Sequence, residues 1–405
     1  MPDGSGATVL DDLPESIIVE EILVRLPLKD VIRCRAVRQA WRGATSTHKF
    51  MLDNCRRQPF LPVIYLYREC RCGCYAKENG SVNRRYFVFR DAGAGGPKLW
   101  PVLRYVTYNK NFVAVHGACD GLLLVSCKPS YGSGDRGFYL CNPTTRQHAH
   151  IPQLGYCSNI IIAGFYRHHP SEEYRVLYWV STGDEHGLPA AYYILSLGSN
   201  QRCIGQPSVL KASVRGLPSS VTHAPVMHRG GLHWDLGQLY DDVVTDILVL
   251  DTATEAFRVM HRPAELGYWP CLLQMDGALA LCSRVDCYIF DVWVMHDDEA
   301  EIWSFRRRIH LSGIHESLSL GPMIAVVNDS ELLIWLDQLL LHCDIDGKNM
   351  GYVESEEEKG GPPSFALTSH LFQESIAPFP LPNMQEDGAS DEPPFILQAP
   401  FIPVP

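Results

Sequence analysis

Cys70, Cys72 and Cys74 are the densest set of soft metal ligands in the chain. Zinc sites pair cysteines two to four residues apart and need four ligands. Here only one residue separates neighbouring cysteines, and no second pair stands at a zinc-site spacing. His116 or Cys119 would have to complete a site through space, so the reading is reduced thiols on a strand or turn. His168-His169-Pro170 offers two imidazoles but reads as a polar turn between strands. Gly93-Ala94-Gly95-Gly96-Pro97 lacks the Lys-Ser/Thr of a phosphate loop and the helix that follows a dinucleotide turn. The sequence contains no Gly-x-Ser-x-Gly elbow and no His-Glu-x-x-His pair. The expectation is a protein with no catalytic residues, no metal and no cofactor.

Composition narrows the class. The chain has 405 residues, 46% of them hydrophobic and 20% charged, enough apolar material for a large packed core. No apolar run reaches the roughly 18 residues of a membrane span, and the first residues carry no basic, apolar leader. With no leader, the fourteen cysteines read as reduced thiols in the cytoplasm or nucleus rather than a disulfide framework. Cys127, Cys282 and Cys343 sit inside apolar runs, where a thiol behaves as a small hydrophobe. The net charge is -11, and most of it comes from the stretch beginning at Glu354. No basic footprint suggests a nucleic-acid partner, and none of these features suggests a membrane partner.

The first sixty residues must be helical. Leu13-Pro14-Glu15 suits a helix start, since proline is tolerated in the first turn and Glu15 complements the helix dipole. Ile18, Ile22 and Leu26 recur on one helical face with Leu23 beside them, and Pro27 ends the run. A second helix is expected from about Lys29 to Ala36 and a third from about Arg38 to Lys49, around Trp41. Helices this short cannot bury their apolar faces among themselves, so some of that surface needs a partner. Lys29, Arg33, Arg35, Arg38 and Arg42 read as a solvated helix face.

This segment resembles the F-box motif. The carriers are Leu13-Pro14-Glu15, then Glu21-Ile22-Leu23-Val24-Arg25-Leu26-Pro27-Leu28-Lys29-Asp30, then Arg33-Cys34-Arg35-Ala36-Val37-Arg38-Gln39-Ala40-Trp41-Arg42. Asp30 stands where the family often has Ser, and Arg38-Gln39 where it often has Cys-Lys. The resemblance covers about a tenth of the chain. It implies docking on a Skp-type adaptor, and through it on a cullin-RING ligase. The adaptor contacts it implies are Leu13, Pro14, Ile22, Leu23, Leu26 and Pro27, with Val37 and Trp41 part core and part contact. Apolar anchors on a small helical module fit helix-in-groove recognition.

From about Leu61 onward the pattern changes to short apolar runs bounded by Gly, Asp, Asn and Pro, the mark of many short strands. One unit recurs. An apolar strand runs into a polar turn near Asp91, Asn142, Leu197, Asp251, His296 and Asp344, positions 45 to 55 residues apart. In most units a Gly- or Asp-led strand precedes it, as in Asp120-Gly121-Leu122-Leu123, Gly230-Gly231-Leu232-His233-Trp234 and Asp276-Gly277-Ala278-Leu279. A repeat of about fifty residues with three or four strands is a propeller blade, and six markers suggest about six blades. Radial closure also removes the long open edges that one flat sheet would leave. The phrasing resembles the F-box-associated domain of plant proteins. That resemblance rests on Cys119-Asp120-Gly121-Leu122-Leu123, Cys141-Asn142-Pro143-Thr144-Thr145-Arg146, Gly164-Phe165-Tyr166, His233-Trp234 and His370-Leu371-Phe372-Gln373-Glu374-Ser375-Ile376.

The expected architecture is α+β and multidomain: a small three-helix F-box over 9–55, an all-β propeller of about six blades over 60–380, and a Pro-rich acidic tail over 381–405 that is disordered. Phe372 to Phe379 is expected to supply a strand that closes the ring. Most tryptophans should be blade core, with one or two on a target-binding face. Loops 129–137, 182–190 and 235–245 are the expected target contacts. The family resemblance implies a non-enzymatic substrate receptor that presents a protein target to a ubiquitin ligase. The alternatives are a propeller enzyme and an F-box scaffold outside a ligase.

Overall fold

The structure, a computed structural model, describes residues 13–67, 82–90, 98–107, 113–127, 137–154, 159–181, 189–197, 199, 201–204, 217, 220, 223–236, 246–311, 323–336, 339–353, 364–381 and 385–386. The helical segment opens with α1 (Glu15–Ile17), then a π turn (Ile18–Ile22) and a 3-10 turn (Leu23–Arg25). The single helix expected up to Leu26 is thus wound unevenly. In the π turn the Leu23 N–H bonds to the Ile18 carbonyl, a five-residue step that brings Leu23 under Ile18. Ile18, Leu23 and Val24 become core, and Ile22 and Leu26 are left half-buried.

Next come α2 (Leu28–Val37), α3 (Gln39–Thr45) and α4 (His48–Arg57). The third expected helix divides at Ser46-Thr47, where the Thr47 hydroxyl caps α4 by accepting from the Phe50 N–H at 3.3 Å. Phe50, Met51 and Leu52 of α4 complete the helical core around Trp41. The Asn54 amide ties α4 back to the first turn through the Val24 and Leu26 carbonyls, at 2.9 and 3.0 Å.

The rest is a ring of six antiparallel sheets. Blade 2 is β4 (Val113–Cys119), β5 (Leu122–Cys127), β6 (Gly137–Asn142) and β7 (Gln147–His150). Blade 3 is β8 (Ile160–His168), β9 (Glu173–Ser181), β10 (Pro189–Ser196) and β11 (Gln201–Cys203). Blade 4 is β12 (Val226–His228), β13 (Gly231–Asp235), β14 (Ile247–Asp251) and β15 (Phe257–Met260). Blade 5 is β16 (Tyr268–Met275), β17 (Ala278–Asp286), β18 (Ile289–Asp297) and β19 (Ile302–His310). Blade 6 is β20 (Met323–Asn328), β21 (Glu331–Leu336), β22 (Leu339–Asp344) and β23 (Asn349–Tyr352).

Blade 1 closes the circle with β1 (Leu61–Tyr67), β2 (Val82–Arg90) and β3 (Lys98–Thr107), while its inner strand is β24 (Ser364–Phe372) from the other end of the chain. The closing strand therefore lies earlier than the expected 372–379, and residues 373–377 have a different task. This splice also explains why blade 1 lacks a leading Asp-Gly turn: its first strand is not the one that precedes β1 in sequence.

The recurring sequence signals are turns. Asp120-Gly121, Arg229-Gly230 and Asp276-Gly277 all have positive φ, the backbone of the two-residue hairpin turn that joins the inner strand of a blade to its second. The polar markers follow the third strand. Asn142, Asp251, Asp297 and Asp344 each accept backbone N–H groups two to four residues on, a side-chain mimic of a turn. Hydrophobic clusters fill the spaces between neighbouring blades, such as Leu273, Phe290 and Val292 of blade 5 with Ile324, Leu332 and Leu341 of blade 6. Beyond β24, Gln385 and Glu386 (β25) pair with His148 and Gln147 of β7. The expectation of a structureless stretch from 381 fails at those two residues, and the rest of that tail lies outside the described residues.

Candidate functional site

The helices stand on one face of the propeller. Strands alternate direction within a blade, so the turn after the inner strand and the turn after the third strand share a face. Loops after the second and fourth strands share the other. Gly121 meets Ser375 and Gln373, which places the helices on the turn face.

The bridge between the two parts is the segment after β24. The Gln373 amide donates to the Gln58 carbonyl at 2.8 Å. The Asn142 amide donates to the Ser375 carbonyl at 3.1 Å, and Arg90 pairs with Glu374. Ile376 and Ala377 then enter the helical core beside Trp41 and Phe50. Cys55 is sealed there, and burial together with the Asp120 charge pushes its thiol up to about 12. It is therefore inert as a nucleophile.

The residues expected to touch an adaptor separate into two groups. Leu23 and Trp41 are core; the Arg38 guanidinium caps the Trp41 ring at 5.2 Å. Leu13, Ile22 and Leu26 are half-buried, while Pro14 and Pro27 are exposed. Val37 is 68% exposed. Of the pair expected to be part core and part contact, Trp41 is buried and Val37 stands at the surface. Sequence reasoning passed over Ile17 and Ile32, which are 44% and 50% exposed. Helical spacing gave no signal for Ile32: it lies four residues after the buried Leu28, on nearly the same face, and only the packing leaves it exposed. Arg35 is not freely solvated. Its guanidinium donates to the Thr45 carbonyl at 2.6 Å and to the Thr45 hydroxyl at 3.1 Å.

The inner strands line a central cavity of about 290 Å³, with Arg56 and Phe60 at its helix-side mouth. The approach to β12 crosses it: the Ala224 N–H donates to the Ser369 hydroxyl of β24 at 3.0 Å. His370 is buried in the wall, its Nε2 3.0 Å from the Val115 carbonyl, and burial pushes its pKa down to about 4. Among the described residues no group of three or more His, Cys, Asp or Glu could hold a metal. Cys70, Cys72, Cys74 and the Gly93–Pro97 stretch lie outside the described residues. His168 forms the expected turn, bonding the Ser171 hydroxyl at 2.7 Å and, across the blade boundary, the Ala253 carbonyl at 3.0 Å.

Blades 3 and 4 are joined by a buried charge. Glu255 accepts from the Tyr166 hydroxyl at 2.7 Å and from Arg175 at 2.5 Å, and also pairs with Arg202. The expected target loops 129–137, 182–190 and 235–245 lie mostly outside the described residues. The strands that bound them end on the face away from the helices. Of the tryptophans, Trp179 and Trp234 are blade core, while Trp100 and Trp269 are 50% and 41% exposed. No helix among the described residues is long and apolar enough to cross a membrane.

Residues 105–351 match the F-box associated beta propeller domain family. A protein of Arabidopsis thaliana named as an F-box protein, At3g52320, is 25% identical over 318 residues, covering 74% of this chain and 73% of its own length. The Arabidopsis thaliana F-box protein CPR1 is 22% identical over 363 residues, 82% of each chain. Among solved structures, the beta-propeller domain of Myceliophteria thermophila Cps50 (Swd1) aligns with a TM-score of 0.36 at 10% identity, over 74% of this chain and 91% of that one.

Proposed function

This chain belongs to the F-box associated beta propeller domain family, and from that premise we propose that it is a substrate receptor of a Skp–cullin–F-box ubiquitin ligase. The helical module docks on a Skp-type adaptor, and the propeller holds a protein target on the face away from the helices. The chain supplies proximity between a target lysine and the charged E2 partner, not bond-making groups.

One observation carries the reading. The helical module closes its core with the chain's own Ile376 and Ala377, and yet Ile17, Ile32 and Val37 stay exposed. Exposed branched residues beside a completed core are a surface made for another protein. Pro14, Ile17, Pro27, Ile32 and Val37 are assigned to direct contact, with Leu13, Ile22 and Leu26 at its edge. Leu23 and Trp41 hold the helices in place beneath it.

The test is binding of the full chain to a purified Skp-type adaptor. Because Ile376 and Ala377 belong to the helical core, residues 1–60 alone are not a fair probe. The double variant Ile32→Glu, Val37→Glu should lose binding by a hundredfold or more while its melting temperature stays within about 2 °C of wild type. Unchanged affinity in the double variant refutes the assignment.

A further inference from the structure

Blade 5 carries an aromatic cleft that neither the helices nor the ring closure uses. β16 runs toward the helix side, so its first residues, Tyr268 and Trp269, stand at the opposite face. Tyr268 pairs with Arg284 across the sheet. Trp293 and Phe305 form an edge-to-face pair with ring centroids 5.7 Å apart. Tyr268, Arg284, Trp293 and Phe305, with Glu265 and Gly267 from the connection out of blade 4 and the Asp291–Arg308 pair, border a cleft of about 540 Å³. Tyr268 is 74% exposed and Phe305 49%, and large aromatics left in water mark binding surfaces.

The backbone is bent to make this corner. Trp269 has a φ of +47°, a conformation a bulky side chain rarely adopts. At Gly267 a Cβ would overlap the Arg284 carbonyl oxygen. The result lays the Arg284 guanidinium 3.8 Å above the Trp269 ring.

Charge and hydrogen bonding say what is missing. Arg308 is satisfied by Asp291, with bonds of 2.6 and 2.8 Å. Asp286 accepts the Cys287 N–H of its own turn. Arg284 has the ring of Trp269 but no carboxylate partner among the described residues. Among the described residues, its Nη1 and the Trp293 Nε1 are buried donors without an acceptor. The cleft has apolar rings and spare donors, and of its own carboxylates Asp291 is taken up by Arg308 and Glu265 stands exposed at the rim, so Arg284 is left without an anionic oxygen.

We infer that this cleft is the target-docking site, and that it takes an extended peptide presenting one carboxylate beside an aromatic or branched apolar side chain. The carboxylate meets Arg284, and the apolar side chain enters the slot between Tyr268 and the Trp293–Phe305 pair. Glu265 at the rim selects for a single carboxylate over an acidic run. The inference rests on the reading of the propeller as the target-binding part and supplies the chemistry of that target.

The experiment is selection of a displayed random peptide library on the full chain, followed by titration of the enriched peptides. They should share an Asp or Glu next to an aromatic or branched residue. Arg284→Gln, which keeps amide donors but removes the charge, and Tyr268→Ala, at an exposed position, should each weaken binding tenfold or more. Met350→Ala, exposed on blade 6, should leave it unchanged. All variants are also titrated with the Skp-type adaptor, to which they should bind like wild type. Peptides without an acid, affinity indifferent to Arg284→Gln, or no enrichment above background would each overturn the inference. Peptide binding without adaptor binding would instead remove the ligase reading and leave the cleft standing.

Discussion

Alanine at Gly121 and at Gly277 forms a matched pair that isolates the bridge between helices and propeller. Both glycines occupy the second position of an Asp-Gly turn, with φ of +81° and +73°. The left-handed backbone alone should cost an L-residue about 1–2 kcal/mol at each site. At Gly277 a Cβ meets nothing within 4 Å, so the loss should stop there. At Gly121 it would overlap the Ser375 Cβ and stand 3.0 Å from the Ser375 nitrogen and 3.1 Å from the Gln373 oxygen. Two of those neighbours are backbone and cannot rotate away. Residues 373–377 must shift, which strains buried hydrogen bonds from Asn142 to Ser375 and from Gln373 to Gln58. Overpacking adds roughly 1–3 kcal/mol, and one orphaned buried group a similar amount. The Gly121 variant should therefore lose about 3–8 kcal/mol, roughly three to four times the loss at Gly277. The assay is urea denaturation of the full chain, with amide exchange read along α4. Faster exchange in His48–Arg57 is expected for Gly121→Ala only. Equal losses in the two variants, or unchanged exchange in α4, would refute the bridge.

Acidification should weaken the fold through two buried imidazoles. His370 and His233 titrate at about 4 instead of 6.5, in both cases chiefly because burial disfavours the charged ring. The unfolded chain binds more protons than the folded one between those values, so stability is full above about pH 6.5 and falls as pH drops toward 4, by about 3 kcal/mol for each ring. Urea midpoints at pH 7, 5.5 and 4.5 measure this, and a midpoint that rises on acidification in that window contradicts it. Ending the chain after Phe372 should keep a cooperative propeller melt but loosen the helices, which lose Ile376 and Ala377. Ending it at 363 removes β24 and should abolish the native near-ultraviolet dichroism; a 1–363 fragment that melts like the whole protein would show that β24 does not close the ring.

The blades were legible because their signals are local. An Asp-Gly pair at positive φ needs only its own two residues, and Asp251 or Asn142 folds its turn by bonding N–H groups two and three residues away. Turn chemistry repeated every 45 to 55 residues was therefore enough to count six sheets. The surface of the helical module was legible in part: the apolar spacing marked the helical stretch, but a regular 3.6-residue period could not foresee the π turn that trades Ile22 for Leu23 in the core. The closing strand was misplaced by several residues for a related reason. Ser364–Phe372 and Phe372–Phe379 both set aromatic and aliphatic residues among polar ones, and only pairing with β1, some three hundred residues earlier, distinguishes them. The blade 5 cleft was not legible at all. Tyr268, Arg284, Trp293 and Phe305 lie on four different strands, and no sequence spacing relates them. Local turns are fixed by hydrogen bonds within a few residues. The bridge at Ser375 exists only because ring closure returns the end of the chain to its beginning, and the cleft at Arg284 exists only because the four strands of blade 5 pair in one register.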